Sequence, residues 1–335
     1  MAAASLCSNC GVAAESTCAK CHAAVYCGRE CQSAHWKAGH KFFCSPKVEV
    51  KDIVGKGTGL FARRDFAVGD ELSREKPILI QPGVMPNVTI AAASAQAAFS
   101  ALPQVKLDVV MSLSNAWADT GISSRFGIST FVPLGITKTN GIPLGQNATH
   151  SGLYALACRM NHACKPNARY VWRPDLKREL VFATRPIRAG DEITVTYLAE
   201  YAPRAARKLR LLEEFLFECK CSACEDPARD LNAQEQSDAR MLEIQELIDN
   251  VPTVGYTDQQ RALRMCERVL QLQGKEKVDT PVDTHRIHYD AYQMAAASGN
   301  RRKATHHIRA ACEDAKLCQG KDSPIARKYA GKQFY

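Results

Sequence analysis

The sequence predicts an α+β protein, with a β-rich middle, a short metal-bound segment in front of it and a helical region behind. Three observations carry this. Eight cysteine and histidine positions from Cys7 to Cys44 stand at metal-ligand spacings. Short alternating runs, punctuated by Gly, Pro and Asp, recur between Val48 and Tyr197, as half-buried strands do. Beyond residue 231 the apolar residues recur at helical spacing instead. The 335 residues are enough for a sizeable core and two or three units, and 46% hydrophobic with 24% charged residues is the composition of a globular protein.

A formal charge of +9 would suggest nucleic acid if it were concentrated. It is spread thinly, with no long basic run, so direct nucleic-acid binding is not expected. The start Met1-Ala-Ala-Ala-Ser-Leu-Cys7 lacks the basic residues and apolar run of a signal peptide. No stretch of about twenty apolar residues is present to span a bilayer. Fifteen cysteines in such a chain point to a reducing compartment and to zinc rather than to disulfides. Cys158, Cys266, Cys312 and Cys318 stand outside the ligand spacings and read as small buried hydrophobes.

In order along the chain, Cys7-x2-Cys10, Cys18-x2-Cys21, Cys27-x3-Cys31 and His40-x3-Cys44 supply ligand pairs for two closed tetrahedral sites. A segment this short has almost no core, so metal binding would supply most of its folding energy. His35 competes with His40 as a ligand, but only His40 lies one helical turn from Cys44; His35 and His22 are read as surface residues. Residues 48–54 alternate like a strand and run into Gly55-Lys56-Gly57-Thr58-Gly59. Such a turn serves either a plain hairpin or a close backbone approach to a ligand; it has no Gly-Lys-Ser/Thr ending and is not a phosphate loop. The Ala-rich stretch 85–135 predicts helices at 91–102 and 106–117. Asn140 follows, in a segment where it serves as a turn residue or as a polar contact.

Residues 152–158 predict a helix leading into Arg159-Met-Asn161-His162-Ala-Cys164-Lys-Pro166-Asn167. A run this polar needs partners wherever it is buried, and Lys165-Pro166 bends the chain. Cys219-x-Cys221-x2-Cys224 holds three thiols short of a fourth ligand, which Cys164 would supply to a tetrahedral zinc. Residues 169–172 and 180–184 predict paired strands, and 193–197 a strand ending on Tyr197. A helix from about Ala202 precedes Phe215 and Phe217, which share one face if extended; core packing is the alternative for both rings. At the C-terminus, helices at 237–250 and 259–273 are separated by Val251-Pro252 and capped at Thr257-Asp258, and a second pair spans 284–297 and 300–320.

Taken together, the eight-ligand segment, the glycine turn, the Asn161-His162 stretch with Tyr197, and the final cysteines resemble a SET-domain protein-lysine methyltransferase of the SET-and-MYND (SMYD) group, over roughly residues 7–224. The resemblance implies a MYND-type finger at 7–44, a β-rich SET domain at 48–200, a zinc-binding post-SET segment at 201–226 and a helical C-terminal region at 231–335. That last region loosely resembles a tetratricopeptide unit and would wall the substrate groove. It implies S-adenosylmethionine as cofactor, contacted by Lys56, Gly57, Thr58 and Asn140, held at its amino end by Asn161 and His162, and covered by Phe217 and Phe215. Tyr197 would be the catalytic residue and also touch the cofactor. Three zinc ions are implied: Cys7, Cys10, Cys27 and Cys31 on one, Cys18, Cys21, His40 and Cys44 on another, and Cys164, Cys219, Cys221 and Cys224 on the third. The partner would be a lysine-bearing histone or other protein, met by a monomer in the nucleus or cytoplasm, with the finger binding peptide or bracing its neighbour. A catalytically inactive adaptor is the alternative. Two departures stand out: the finger precedes the first SET strands, where the SMYD group inserts it after them, and Ala163 stands where serine is more usual.

Overall fold

The structure is a computed structural model that describes residues 5–83, 85, 87–118, 131–225 and 230–332. The expected helical insert and the two C-terminal domain ranges therefore lie partly outside the described residues.

The N-terminal segment is a two-stranded hairpin, β1 (Ser16–Thr17) and β2 (Val25–Tyr26), followed by α1 (Arg29–His35), a wide turn at Trp36–His40 and the short α2 (Lys41–Phe43). Gly39, at φ 135°, lets the chain turn back there in a conformation that side chains disfavour. Besides cysteines, the interior holds little more than Ala14, Ala24 and Tyr26, too little apolar area to hold a fold alone. His35 is not a surface residue as expected. Its ring stacks on His40 at 4.8 Å between centroids, and its Nδ1 lies 2.9 Å from the Tyr26 hydroxyl, because α1 folds it inward beside the ligands.

The β-rich unit begins with β3 (Val48–Ile53) and β4 (Gly57–Ala62), an antiparallel hairpin closed by Gly55, which has φ 75°. β5 (Glu71–Glu75) and β6 (Leu79–Pro82) lead to α3 (Val88–Ser100), N-capped by Asn87, and α4 (Gln104–Met111). Then come α5 (Phe131–Asn140), β7 (Ile142–Pro143), β8 (His150–Leu153), β9 (Asn161–His162), β10 (Ala168–Arg173), β11 (Arg178–Ala183) and β12 (Glu192–Val195). They form three small sheets, ordered β10-β11-β5, β3-β4-β12-β9 and β6-β8-β7. Leu60, Leu72, Val181, Ile193 and Tyr154 fill the core between them. Among the described residues only β9 and β12 pair in parallel, which sets Asn161-His162 beside Thr194-Val195, two residues before Tyr197.

The helix expected over 152–158 is absent. β8 pairs Gly152 with Ile80, and a 3-10 turn follows at Ala157–Arg159. The Glu75 carboxylate accepts the backbone N–H groups of Leu156 (3.0 Å) and Ala157 (2.8 Å), so those donors go to a side chain instead of a helix.

The C-terminal region is α6 (Arg204–Phe215), α7 (Leu231–Thr257), α8 (Gln259–Glu276), α9 (Pro281–Ala297), α10 (Arg301–Gln319) and α11 (Pro324–Ala330). The break expected at Val251-Pro252 does not occur: α7 continues through Pro252. Val251 and Gly255 are buried there, and a Cβ on Gly255 would come within 2.8 Å of Met294 Sδ, so packing against the neighbouring helices holds the turn that proline weakens. Asp258 caps α8, accepting from the Arg261 N–H, as the sequence suggested.

Contacts tie the three parts together. Arg63 Nη1 donates to the Cys21 carbonyl at 2.7 Å, so the finger sits on the β3–β4 sheet. Arg173 on β10 pairs with Asp175 at 2.7 Å and with Asp322, beyond α10, at 3.3 Å. Buried Glu276 of α8 takes Arg240 at 2.6 Å and faces Lys165 at 3.9 Å. The helices thus wall a groove of about 560 Å³ that has Thr196 and Leu198 on one side and Asp283 and Arg286 on the other.

Candidate functional site

The site is assembled around the Asn161-His162 stretch. Asn161 Nδ2 donates to Glu192 Oε1 at 2.8 Å and to the Thr58 carbonyl at 3.2 Å, which holds the glycine turn against β12. Its Oδ1 has no partner among the described residues and is free to accept. Glycine suits two places in this cradle. Gly57 has φ 74°, and a Cβ on Gly59 would lie 2.5 Å from Ile53 Cδ1 and 3.2 Å from Asn161 Nδ2. Lys56 is exposed at the turn, its backbone N–H donating to the Ile53 carbonyl at 3.0 Å.

Arg159 fastens this arrangement, a role the sequence reading missed. Its guanidinium is buried and donates to Ser112 Oγ at 2.6 Å, to the Ala155 carbonyl at 3.0 Å and to Thr58 Oγ1 at 3.2 Å. Asn167 closes the other end of the stretch, donating to the Glu192 carbonyl at 2.9 Å and accepting from the Thr194 N–H at 2.8 Å. Asn140 spends both amide protons on the carbonyls of Ser114 and Ile136, each at 2.7 Å. It ends α5, as the turn reading expected.

His162 works through its ring: Nδ1 accepts the Tyr197 backbone N–H at 3.0 Å, and Nε2 lies 3.3 Å from Cys164 Sγ. Tyr197 falls just past β12 rather than within a strand, and its hydroxyl donates to the Met160 carbonyl at 2.9 Å. Burial raises its pKa, so the phenol stays protonated. Phe215 and Phe217 do not lie on one extended face. Phe215 ends α6, Leu216 takes the left-handed C-cap at φ 59°, and Phe217 follows. Both rings still converge on the tyrosine, with centroids 4.9 Å and 6.3 Å from its ring, and Phe217 lies 6.1 Å from the His162 ring. Tyr197 and Phe215, with Asn140, Ile142, Met160 and Tyr170 among others, line a cavity of about 180 Å³.

Three groups of four side chains have their ligand atoms within 4.8 Å of one another: Cys7, Cys10, Cys27 and Cys31; Cys18, Cys21, His40 and Cys44; and Cys164, Cys219, Cys221 and Cys224. Four sulfurs bound to one zinc at about 2.3 Å stand roughly 3.8 Å apart. The spacings here fit that: 3.6 Å for Cys10–Cys27, 3.7 Å for Cys18–Cys44, 3.6 Å for Cys21 to His40 Nε2, and 3.5 Å and 4.0 Å from Cys164 to Cys224 and Cys219. The all-sulfur and sulfur–imidazole donor sets suit zinc. Arg207, buried beside Cys164 and Cys224, adds a positive charge that stabilises thiolates; its place on a helix gave no signal of this in the sequence.

Two carboxyls lie buried under the site. Glu75 and Glu179 face each other across the β5–β11 ladder. Burial pushes them up to about 7 and about 8, despite the backbone donors on Glu75 and the Tyr154 hydroxyl on Glu179.

Comparisons with known proteins agree with this architecture. Residues 7–44 match the model of the MYND finger and residues 57–198 that of the SET domain. The chain is 26% identical over 275 residues to histone-lysine N-methyltransferase set5 of Schizosaccharomyces pombe, covering 82% of this chain and 80% of that protein. It is 27% identical to human histone-lysine N-methyltransferase SMYD3, over 38% of this chain and 30% of that one. It is 25% identical to human N-lysine methyltransferase SMYD2, over 74% and 55%. The chain thus spans about half or less of the length of these two human relatives. A MYND finger thus leads directly into a SET domain, and in this arrangement the chain is similar to SET-and-MYND lysine methyltransferases.

Proposed function

We propose that this chain is an S-adenosylmethionine-dependent protein-lysine N-methyltransferase that acts on lysines of histones or other proteins. The position of Tyr197 supports this best: the phenol is anchored on the Met160 carbonyl beside a narrow cavity, within two residues of the strand paired to Asn161-His162. When bound, S-adenosylmethionine would supply a methyl group made electrophilic by the adjoining sulfonium. The residues of the chain do the rest. The turn at Lys56, Gly57 and Thr58 offers backbone at close range, and the side-chain oxygens of Asn140 and Asn161, without partners among the described residues, can accept from an ammonium. Phe217 packs over His162, and Phe215 closes the cavity.

A lysine must arrive as a neutral amine, and enclosure among Ile142, Met160, Val195 and Phe215 disfavours its charged form. Because the Tyr197 hydroxyl donates to Met160, its lone pairs remain to accept an amine N–H and aim the nitrogen. Alignment of this kind contributes several kcal/mol without a strong base. The three ligand quartets would each hold one zinc. All are closed, so the metals position the chain rather than react. The thiols free of disulfides suit a reducing compartment, nuclear or cytoplasmic, and the Arg63–Cys21 contact favours a bracing role for the finger.

The test is Tyr197→Phe. Turnover of labelled methyl groups into protein should fall by about 10²–10³-fold, with S-adenosylmethionine affinity, measured by calorimetry, nearly unchanged. Near-normal turnover would remove Tyr197 from the mechanism. An absence of binding heat in the unmodified protein would favour the adaptor instead.

A further inference from the structure

The finger and the glycine turn meet at one guanidinium. Phe43 ends α2 between His40 and Cys44, two members of the quartet that also holds Cys18 and Cys21, so a metal site there sets its backbone from both sides. Among the described finger residues Phe43 alone packs against both the core between the sheets and the apolar cluster beneath α3 and α4. Its ring lies against Arg159, with the guanidinium carbon 5.3 Å from the ring centroid.

The Arg159 side chain depends on that ring. It is 6% exposed, and among the described residues no carboxylate stands within ion-pair distance of it. A charge held this deep without a counter-ion is costly unless dipoles and an aromatic face compensate it. The dipoles are the Ala155 and Ser112 carbonyls at 3.0 Å and 3.4 Å, and the hydroxyl oxygens of Ser112 at 2.6 Å and Thr58 at 3.2 Å. They hold its N–H groups, and the electron-rich Phe43 ring takes up charge that they leave. Two of these contacts lead to the proposed cofactor site. Thr58 is part of the glycine turn, where its carbonyl also accepts from Asn161 at 3.2 Å. Ser112 stands two residues before Ser114, whose carbonyl accepts from Asn140 at 2.7 Å.

We infer that Phe43 and Arg159 are positioning residues through which the finger sets cofactor affinity. The ring, fixed by its metal quartet, keeps the guanidinium where it draws Thr58 and segment 112–114 together around the cofactor. This rests on the methyltransferase reading above. Neither residue lines the cavity beside Tyr197, so the coupling acts on binding of S-adenosylmethionine and leaves the chemical step alone. A finger that only braced the sheet, as through Arg63 and Cys21, would change stability rather than affinity.

The test is a double-substitution cycle in the full-length protein, read by calorimetry with S-adenosylmethionine. Phe43→Leu keeps apolar volume and removes the ring, and should raise Kd about 3–20-fold. Turnover at saturating cofactor should stay within about twofold, with zinc content unchanged. Arg159→Lys keeps the charge but loses the planar fork, and should raise Kd about 30-fold or more. In the double variant Kd should match that of Arg159→Lys alone, because the ring acts through the guanidinium. Should Arg159→Lys not fold, Thr58→Val, which deletes the hydroxyl that the guanidinium holds, takes its place in the cycle. An unchanged Kd for Phe43→Leu, or effects that multiply in the double variant, overturns the coupling and leaves the enzyme reading intact. An absence of binding heat in the unmodified protein overturns the enzyme reading and this inference with it.

Discussion

The two ends of the metal chemistry in this chain differ in what the sulfurs hold together. In the finger, all eight ligands come from residues 7–44, and Cys7, Cys18, Cys21 and Cys44 are more than half of its buried cluster. In the third cluster, Cys164 meets thiols 55–60 residues later, among Leu198, Leu211, Phe215 and Phe217, next to a core that contains no ligands. The same donor chemistry therefore does two jobs. In one place it substitutes for a hydrophobic core. In the other it fixes the end of α6, and with it two aromatic rings, over a loop that is already folded.

The largest effect that can break this comparison is in the finger. Cys18→Ser should cost that segment its fold, since structural zinc contributes about 10–16 kcal/mol in peptides of this kind. Loss of dispersed amide signals from residues 7–44 in NMR, with the SET signals kept, is the expected result; a folded finger after this change would show a core independent of metal. Next in size, Cys219→Ser should leave both the finger and the sheets folded but lower cofactor affinity by about 100-fold or more, close to 3 kcal/mol. Calorimetry with S-adenosylmethionine decides it. Retained affinity would mean that Phe215 and Phe217 do not depend on the clamp.

The smallest effect isolates the metal-free core. Glu179 and Glu75 have folded pKa values of about 8 and about 7, above their ordinary value of 4.5. A carboxyl raised in this way binds protons more tightly when folded. The stability linked to it is fully present below pH 4.5 and is lost as pH rises to about 7 for Glu75 and about 8 for Glu179. Melting of the SET core should therefore move down by several degrees from pH 6 to 8.5, at roughly 2–4 °C per kcal/mol. Glu179→Gln should flatten that slope. A melting temperature that rises over this range would contradict the buried-carboxyl assignment.

Much of this was legible in the chain. Cysteine spacing marks ligand pairs because two donors a few residues apart can reach one zinc, and short alternating runs between turn residues mark β3, β10, β11 and β12, although of these four only β12 alternates strictly in burial and β11 is buried almost throughout. The misreadings share a cause. Residues 152–158 have helical composition, but Glu75, eighty-one residues before Leu156, takes their backbone donors. Pro252 signals a break, yet burial of Val251 and the close approach of Gly255 to Met294 keep α7 continuous. His35 looked free because nothing local shows that Tyr26 and His40 would enclose it.

Sequence by itself determined the chemistry available: which donors are present, their pairing by short spacing, and the tyrosine, asparagines and glycines of the site. Those are local properties, fixed by side-chain type and the geometry of a turn. Only the tertiary structure decided what faces what. The bolt from Arg159 to Thr58 and Ser112 and the opposition of Glu75 to Glu179 both join residues far apart in the chain. Such contacts are set by how burial and hydrogen-bond satisfaction are met across the whole fold, and no local pattern encodes them.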